Sequence, residues 1–143
     1  RDQIDKIPGI LPYKLNPGVT RAVYHLFPFR YKQEEFKGLP RELFLKALKA
    51  EGIPCQGGYS PLNRGKYLEN VLQTKNFRLM YPSEMLDYGK YMERNQCPAN
   101  DRLCFEAVWL YQNMLLGEKN DMDDIVAAIE KIRENAEKIK NKI

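Results

Sequence analysis

The stretch AEGIPCQGGYSPLN, residues 50–63, holds the residue types best suited to meet a ligand. Gly57 and Gly58 follow a short apolar step and precede Tyr59 and Ser60. A connector needs only one turn signal, whereas two adjacent glycines beside an aromatic residue indicate backbone that passes close to a ligand or to another chain. The sequence therefore predicts a close approach at this turn.

Catalytic residue types do not assemble into a known set. His25 is the single histidine, and a lone histidine in a strand is more often packed or hydrogen-bonded in the core than catalytic. The chain has neither the GxxxxGK[ST] nor the GxGxxG pattern of phosphate-binding loops. Asp123 and Asp124 fall in the first turn of the last predicted helix, where they complement its dipole. These residues alone predict an accessory domain rather than a complete catalyst.

The three cysteines, Cys55, Cys97 and Cys104, suit neither a disulfide framework nor a metal site. Their number is odd, and only one histidine is present to complete a zinc ligand set. We therefore expect reduced thiols, no bound metal and a cytoplasmic location.

The composition is that of an ordinary globular protein. The 143 residues are 43% hydrophobic and 29% charged, which is enough for one domain with its own core. The net charge of +4 is mild and the basic residues are scattered among acids, which argues against a nucleic-acid partner. No apolar run approaches membrane-spanning length, so we expect no membrane partner.

Local patterns predict the elements that would position the turn. Residues 20–31 are dense in β-branched and aromatic side chains and predict a strand, with Val23 and His25 on the same face as Phe27. Pro28 indicates an edge position or a bulge in that strand. The other predicted segments are helices over 40–51, 66–73, 98–106 and 121–141, short strands over 53–55 and 108–110, and an irregular excursion over 64–96. Asp121 is predicted to cap the last helix.

This order of elements predicts an α+β fold, with a small antiparallel sheet of about three strands and helices packed on one face. The other face of the sheet would be free to dock on a larger domain. Residues 1–12 are typical of the last turns of a helix, which Pro8 and Gly9 would stop. We therefore expect residues 1–143 to be a single domain taken from a longer protein.

Four segments together resemble the C-terminal domain of the sugar-aminotransferase (DegT/StrS-type) family. They are, in order, YHLFPFRY, LPRELFLKALKAEGIPCQGGYSPLN, VWLYQNMLLG and DMDDIVAAIEKIRENAEKI. Enzymes of this family use pyridoxal phosphate and have the aspartate-aminotransferase fold, which is fold type I. The resemblance covers most of residues 20–139, whereas residues 64–96 carry little of it.

The resemblance implies a place for the glycine turn. In such enzymes the small domain closes over the cofactor cleft of the large domain, and the turn after the EGI helix faces the substrate. Tyr59 would then be largely exposed in this chain taken by itself. Gln112 stands where many relatives carry histidine. The candidate cleft residues are Gly57, Gly58, Tyr59, Ser60, Asn63, Gln112 and His25.

The resemblance also implies which parts lie outside this chain. The Schiff-base lysine, the aromatic residue that stacks on the cofactor and the carboxylate at the pyridine nitrogen belong to the family's large domain. None of the 14 lysines here stands in the family's Ser-rich context. The implied cofactor is pyridoxal phosphate in the longer protein, with no cofactor-binding and no catalytic residue in this chain.

The same resemblance implies the partners of the domain and the reaction of the longer protein. The partners would be its own large N-terminal domain and a second copy in a homodimer. The reaction would move an amino group from glutamate or glutamine to a nucleotide-linked keto-sugar or a related cyclic ketone.

Two alternative functions stay open from the sequence. Some relatives in the family are sugar dehydratases or aromatic-amine synthases, and the residues that discriminate them lie in the large domain. A free-standing, non-enzymatic interaction module would instead use the uncovered sheet face and Tyr81, Tyr88 and Tyr91 as its binding surface.

Overall fold

Four strands form one antiparallel sheet in the computed structural model, which describes residues 1–142. The strands are β1 (Ile10–Pro12), β2 (Leu26–Tyr31), β3 (Cys55–Gly57) and β4 (Ala107–Tyr111). Their order across the sheet is β1-β2-β4-β3. The predicted α+β class with a small antiparallel sheet is confirmed, and the sheet has one strand more than the sequence predicts.

The additional strand, β1, lies where the sequence predicts the end of a helix. Residues Ile4–Lys6 form only one turn of 3₁₀ helix, and Gly9 then adopts a φ of +90°. This bend lets Ile10 pair with Tyr31 of β2, and the Lys32 N–H donates to the Gly9 carbonyl at 2.8 Å. Isoleucines at three-residue intervals suit a helix as well as this turn, so the sequence pattern could not separate the two.

Strand β2 begins later than the predicted strand. Phe27 and Phe29 are buried, as the strand alternation requires, whereas Val23 and His25 are exposed. Both exposed residues precede the strand, so its alternation does not reach them. Their assignment to the face of Phe27 is wrong, and so is the expectation that the lone histidine is packed in the core.

Pro28 lies in an interior strand and not in an edge strand. β1 pairs only with residues 29–31 of β2, so the backbone at Pro28 has a neighbouring strand on the β4 side alone, where it faces Trp109. A residue without an N–H is tolerated there because the strand is locally an edge.

The chain contains helices of very different lengths and divides into two compact units. The sheet unit comprises residues 1–58 and the chain from residue 105 onward, and the helical unit comprises residues 59–104. Within residues 1–142, no helix combines the length and apolar character needed to cross a bilayer. The helices are α1 (Arg41–Ala50), α2 (Tyr67–Leu72), α3 (Lys75–Met80), α4 (Ser83–Leu86), α5 (Tyr88–Arg94), α6 (Pro98–Glu106), α7 (Lys119–Glu134) and α8 (Ala136–Lys140).

The core of the sheet unit lies between the sheet and two helices. Helix α1 buries Phe44 and Leu48, and helix α7 buries Ile125, Ile129 and Ile132. These side chains form one cluster with the inward residues of the strands. Each such side chain contributes about 2 kcal/mol by leaving water, which is why the helices stay on the sheet.

The predicted last helix over 121–141 is built as two helices. Asn135, with φ −99° and ψ 10°, ends α7 and precedes α8. Asp121 is not the N-cap of α7. The helix begins at Lys119, and the Asp121 carboxylate accepts a hydrogen bond from the Glu118 N–H at 2.8 Å inside a capping box.

The segment predicted as an irregular excursion, 64–96, contains four short helices, α2 to α5. Of these, α3, α4 and α5 have only four to seven residues, so none of the three is long enough to show a helical period in the sequence. Leu72 and Leu86 are their buried side chains. The predicted helices near 66–73 and over 98–106 are confirmed as α2 and α6.

Candidate functional site

The two glycines do not form the predicted turn, because Gly57 is the last residue of β3 and Gly58 follows it along β4, against the protein's own chain. The Gly58 N–H donates to the Ala107 carbonyl at 3.2 Å, and a Cβ on Gly58 would lie 2.6 Å from the Ala107 Cβ. A Cβ on Gly57 would lie 3.2 Å from Cζ of Arg41. The close approach that the sequence predicts is therefore made within the sheet unit, by β4 and by the first residue of α1.

Arg41 is a site residue that the sequence analysis missed. Its side chain is only 19% exposed, and its Nη1 donates to the Ala107 carbonyl at 3.2 Å. Nη2 is 3.4 Å from the Glu42 carboxylate, and Cζ lies 6.0 Å from the centre of the Phe105 ring. The carbonyl that Arg41 contacts is 66 residues away along the chain, so no local pattern signals this role.

A buried carboxylate lies beside Arg41. Glu106 is 8% exposed and accepts hydrogen bonds from Arg30 Nε at 2.6 Å and from Lys32 Nζ at 2.5 Å. Burial by itself raises the pKa of the Glu106 carboxyl, but the hydrogen bonds and positive charges of Arg30 and Lys32 outweigh burial and lower the pKa below its ordinary value. The carboxylate therefore stays ionised and holds β2 to the start of β4.

The predicted cleft residues are divided between the two units. Tyr59 and Ser60 belong to the helical unit, and the exposure predicted for Tyr59 is confirmed, because the side chain is 71% exposed. Asn63 lies in a 3₁₀ turn, where its Nδ2 donates to the Asn95 carbonyl at 2.7 Å. A substrate role for these three residues stays a prediction.

The remaining candidates occupy opposite ends of β4. Leu26 of β2 faces Tyr111 of β4; His25 directly precedes this β2 end, Gln112 directly follows this β4 end, and both are exposed. Gly58 lies at the other end, beside Ala107, which is four residues from Tyr111 along β4, or about 13 Å. The structure therefore places His25 and Gln112 at one end of the sheet, and Gly57 and Gly58 at the other end.

Among the described residues, the cysteines and the other possible metal ligands are not gathered at one site. Cys55 is buried, Cys97 is exposed, Cys104 is half-buried, and no disulfide joins any two of them in the described residues. Burial raises the pKa of the Cys55 thiol, which makes it less reactive. Among residues 1–142, no group of three or more histidine, cysteine or carboxylate side chains is placed to hold a metal ion.

The lysines do not fit a pyridoxal-phosphate site. All of them are exposed except Lys32, which is half-buried and paired with Glu106. Such a site requires an enclosed lysine for imine formation, backbone N–H groups for the phosphate and a carboxylate for the pyridinium proton. Among residues 1–142, no lysine is buried in this way.

Comparison with known proteins shows what the chain is similar to. No family model matches it. A Micromonospora echinospora protein named "Putative L-glutamine:3-amino-2,3-dideoxy-scyllo-inosose aminotransferase" is 29% identical over 143 residues, which cover 96% of this chain and 33% of the relative. A Streptoalloteichus tenebrarius protein of the same name is 30% identical over 130 residues, 87% of this chain and 30% of the relative. The resemblance to the sugar aminotransferases is confirmed.

A solved structure shows the same fold. The crystal structure of 3-amino-5-hydroxybenzoic acid synthase matches 91% of this chain and 30% of that chain, with a TM-score of 0.58 and 20% sequence identity. The chain spans about a third of the length of the relatives it matches.

Proposed function

We propose that this chain is the C-terminal domain of a longer, pyridoxal-phosphate-dependent aminotransferase that transfers an amino group to a cyclic ketone. The observation that carries the proposal is the alignment over 96% of the chain with a relative named as an aminotransferase. The names of the relatives specify L-glutamine as donor and a scyllo-inosose as acceptor. We therefore propose glutamine as the donor and a keto-sugar or a related cyclic ketone as the acceptor.

Pyridoxal phosphate would supply the electron sink for the reaction, and the rest of the longer protein would hold it. The exposed lysines of this domain support that division of labour, because an imine-forming lysine needs an enclosed, partly dehydrated site. The domain would contribute Gly57 and Gly58 at the end of β3 and, after them, Tyr59 and Ser60, which would contact the substrate and exclude water when the cleft closes.

The first test is cofactor binding by residues 1–143 alone. We expect no saturable binding at micromolar pyridoxal phosphate, because scattered surface imines do not form a built site. Visible absorbance during a titration, followed by borohydride trapping and peptide mapping, should show thin labelling of many exposed lysines such as Lys66 and Lys90. Stoichiometric trapping of one lysine at low cofactor concentration would contradict the proposal.

The second test is kinetic and uses the full-length protein. Replacing Tyr59 with alanine should raise KM or lower kcat for the ketone about tenfold, which equals about 1.4 kcal/mol, without changing the melting temperature. Tyr67 is a matched control, since it is 54% exposed in the same unit but is not a cleft candidate. If Tyr59→Ala has the kinetics of Tyr67→Ala, the turn is only architectural.

The assay also separates the proposed reaction from the alternatives. Amino transfer from glutamine to a cyclic ketone is followed by the appearance of the amino product and 2-oxoglutaramate. Loss of water from a keto-sugar without amino transfer would identify a dehydratase instead.

A further inference from the structure

We propose that segment 79–85, which runs from the end of α3 into α4, is a docking surface for the large N-terminal part of the longer aminotransferase. The inference rests on the proposed function, in which this chain is one domain of a longer protein. All residues of the segment belong to the helical unit.

Segment 79–85 exposes several large apolar side chains. Leu79 is 77% exposed and Met80 is 69% exposed, and Tyr81 and Met85 are exposed as well. Leu79 and Met80 end α3, Met85 lies in α4, and the two helices lie beside each other. Single exposed apolar residues are ordinary on a protein surface, whereas a group of them in one place is typical of an interaction site.

The helical unit buries little apolar surface of its own. Within residues 59–104, all of which the structure describes, the buried side chains are Leu72 and Leu86. Units of this size rarely bury enough apolar surface to be stable alone, so they depend on packing against another part of the protein. The exposed apolar side chains of segment 79–85 are available for such packing.

The segment favours an apolar partner surface. Its sequence is LMYPSEM, in which Glu84 is the one charged residue. A strongly charged partner would have to give up water at its charged groups without gaining opposite charges in return. An apolar surface instead gains stability from each large side chain that the contact removes from water. We therefore expect the contact to be hydrophobic and insensitive to salt.

The linked N-terminal part is the partner that the size of the segment favours. The Micromonospora echinospora relative is matched over 33% of its length, so about two thirds of that protein lies outside the match. A stable dimer buries about 20–30 residues on each partner, far more than segment 79–85 offers by itself. A covalently linked domain needs less contact, because the link keeps its local concentration high.

Methionine oxidation in the full-length wild-type protein tests the docking directly. Met80 and Met85 are exposed, whereas Met92, Met114 and Met122 are half-buried. If the segment were free, Met80 and Met85 would react with hydrogen peroxide faster than the other three. Docking should reverse that order and slow the oxidation of Met80 at least about tenfold relative to the unfolded protein. Peptide mapping by mass spectrometry gives the five rates.

A photo-cross-linker in the full-length protein identifies the partner. Leu79→p-benzoylphenylalanine places a benzophenone in the segment, and light joins it to neighbouring C–H groups. We expect a cross-link to the large N-terminal part, in a product that keeps the mass of one chain on a denaturing gel. A product with the mass of two chains would assign the segment to a second copy. A cross-link to residues 1–58 or 105–143 would show that this domain covers the segment itself. Either of these two results would overturn the proposal.

Leu79→Glu should undo the docking. Leu79 is largely exposed in this domain, so a charge there changes the domain itself little, whereas docking would bury that charge without a partner. In the full-length protein, this variant should oxidise at Met80 and Met85 at least about fivefold faster than the wild type. Leu116→Glu is the matched control, because Leu116 is 76% exposed and lies in the sheet unit. The control should leave both rates unchanged.

These measurements separate the docking from the reaction. A wild-type enzyme that transfers an amino group while Met80 and Met85 oxidise fastest would overturn the docking surface alone. A wild-type protein that protects both methionines but transfers no amino group would overturn the proposed function alone. Equal acceleration by Leu79→Glu and Leu116→Glu would overturn the assignment to segment 79–85. The oxidation order is measured on the wild type, so it decides even if Leu79→Glu does not fold.

Discussion

Replacing Ile129 with aspartate should destabilise the sheet unit by about 4 kcal/mol or more, enough to unfold most of a marginally stable domain. Ile129 has no exposed surface and lies in the middle of α7, inside the core cluster. The substitution removes a buried apolar side chain and puts an unpaired carboxylate in its place, and both changes oppose folding. Urea unfolding followed by circular dichroism measures the loss.

Two further variants make this result specific to burial. Ala127 is exposed on the same helix, so Ala127→Asp should change the free energy of unfolding by no more than about 0.5 kcal/mol. Ile129→Val, which removes a single methylene group, should cost about 1 kcal/mol. An Ile129→Asp variant with the wild-type unfolding midpoint would show that α7 does not dock on the sheet, and the described core would be wrong.

Replacing Glu106 with glutamine should cost about 2 kcal/mol at neutral pH. The change removes the charge that accepts hydrogen bonds from Arg30 and Lys32, and charge-assisted hydrogen bonds contribute about 1.5–3 kcal/mol each when fully buried. The Arg30 and Lys32 side chains are 37% and 28% exposed, so water recovers part of that loss. Urea unfolding at pH 7 measures the difference from the wild type.

The effect of Glu106 should depend on pH in a defined direction. Its pKa in the folded protein is lowered, so its contribution is fully present above the ordinary carboxyl pKa and is lost as the pH falls through the folded pKa. The gap in free energy of unfolding between the wild type and Glu106→Gln should therefore be constant near neutral pH and shrink in acid. Glu130→Gln, on the exposed part of α7, should show no such gap. A gap that grows in acid would contradict the assigned charge state.

The longer helices were determined by residues close together in the sequence. Pro40 and Gly52 predict the limits of α1, which spans Arg41–Ala50, and Gly52 has the positive φ of +83° that favours glycine. The apolar stripe of α7 predicts the buried Ile125 and Ile129. A helix of two or more turns repeats its pattern within a few residues, so its existence and its buried face can be read locally.

The short elements could not be predicted from the residues next to them in the sequence. β1 has three residues and forms only because it pairs with β2, about 20 positions further along the chain. The helices α3, α4 and α5 are each too short to repeat a pattern. Their conformations depend on residues that are close in space but distant in the sequence, so the local hydrophobic period does not predict them.

The candidate site, too, divides into features that the sequence predicts and features that only the tertiary structure shows. The glycine pair, the aromatic residue that follows it and the resemblance to the sugar aminotransferases come from the sequence by itself. Only the tertiary structure decided that the glycines face Ala107 and Arg41, and that Glu106 pairs with Arg30 across 76 positions. The physical reason is that turn and helix signals act over a few residues, whereas hydrogen bonds and charges act between groups that folding brings together from any distance along the chain.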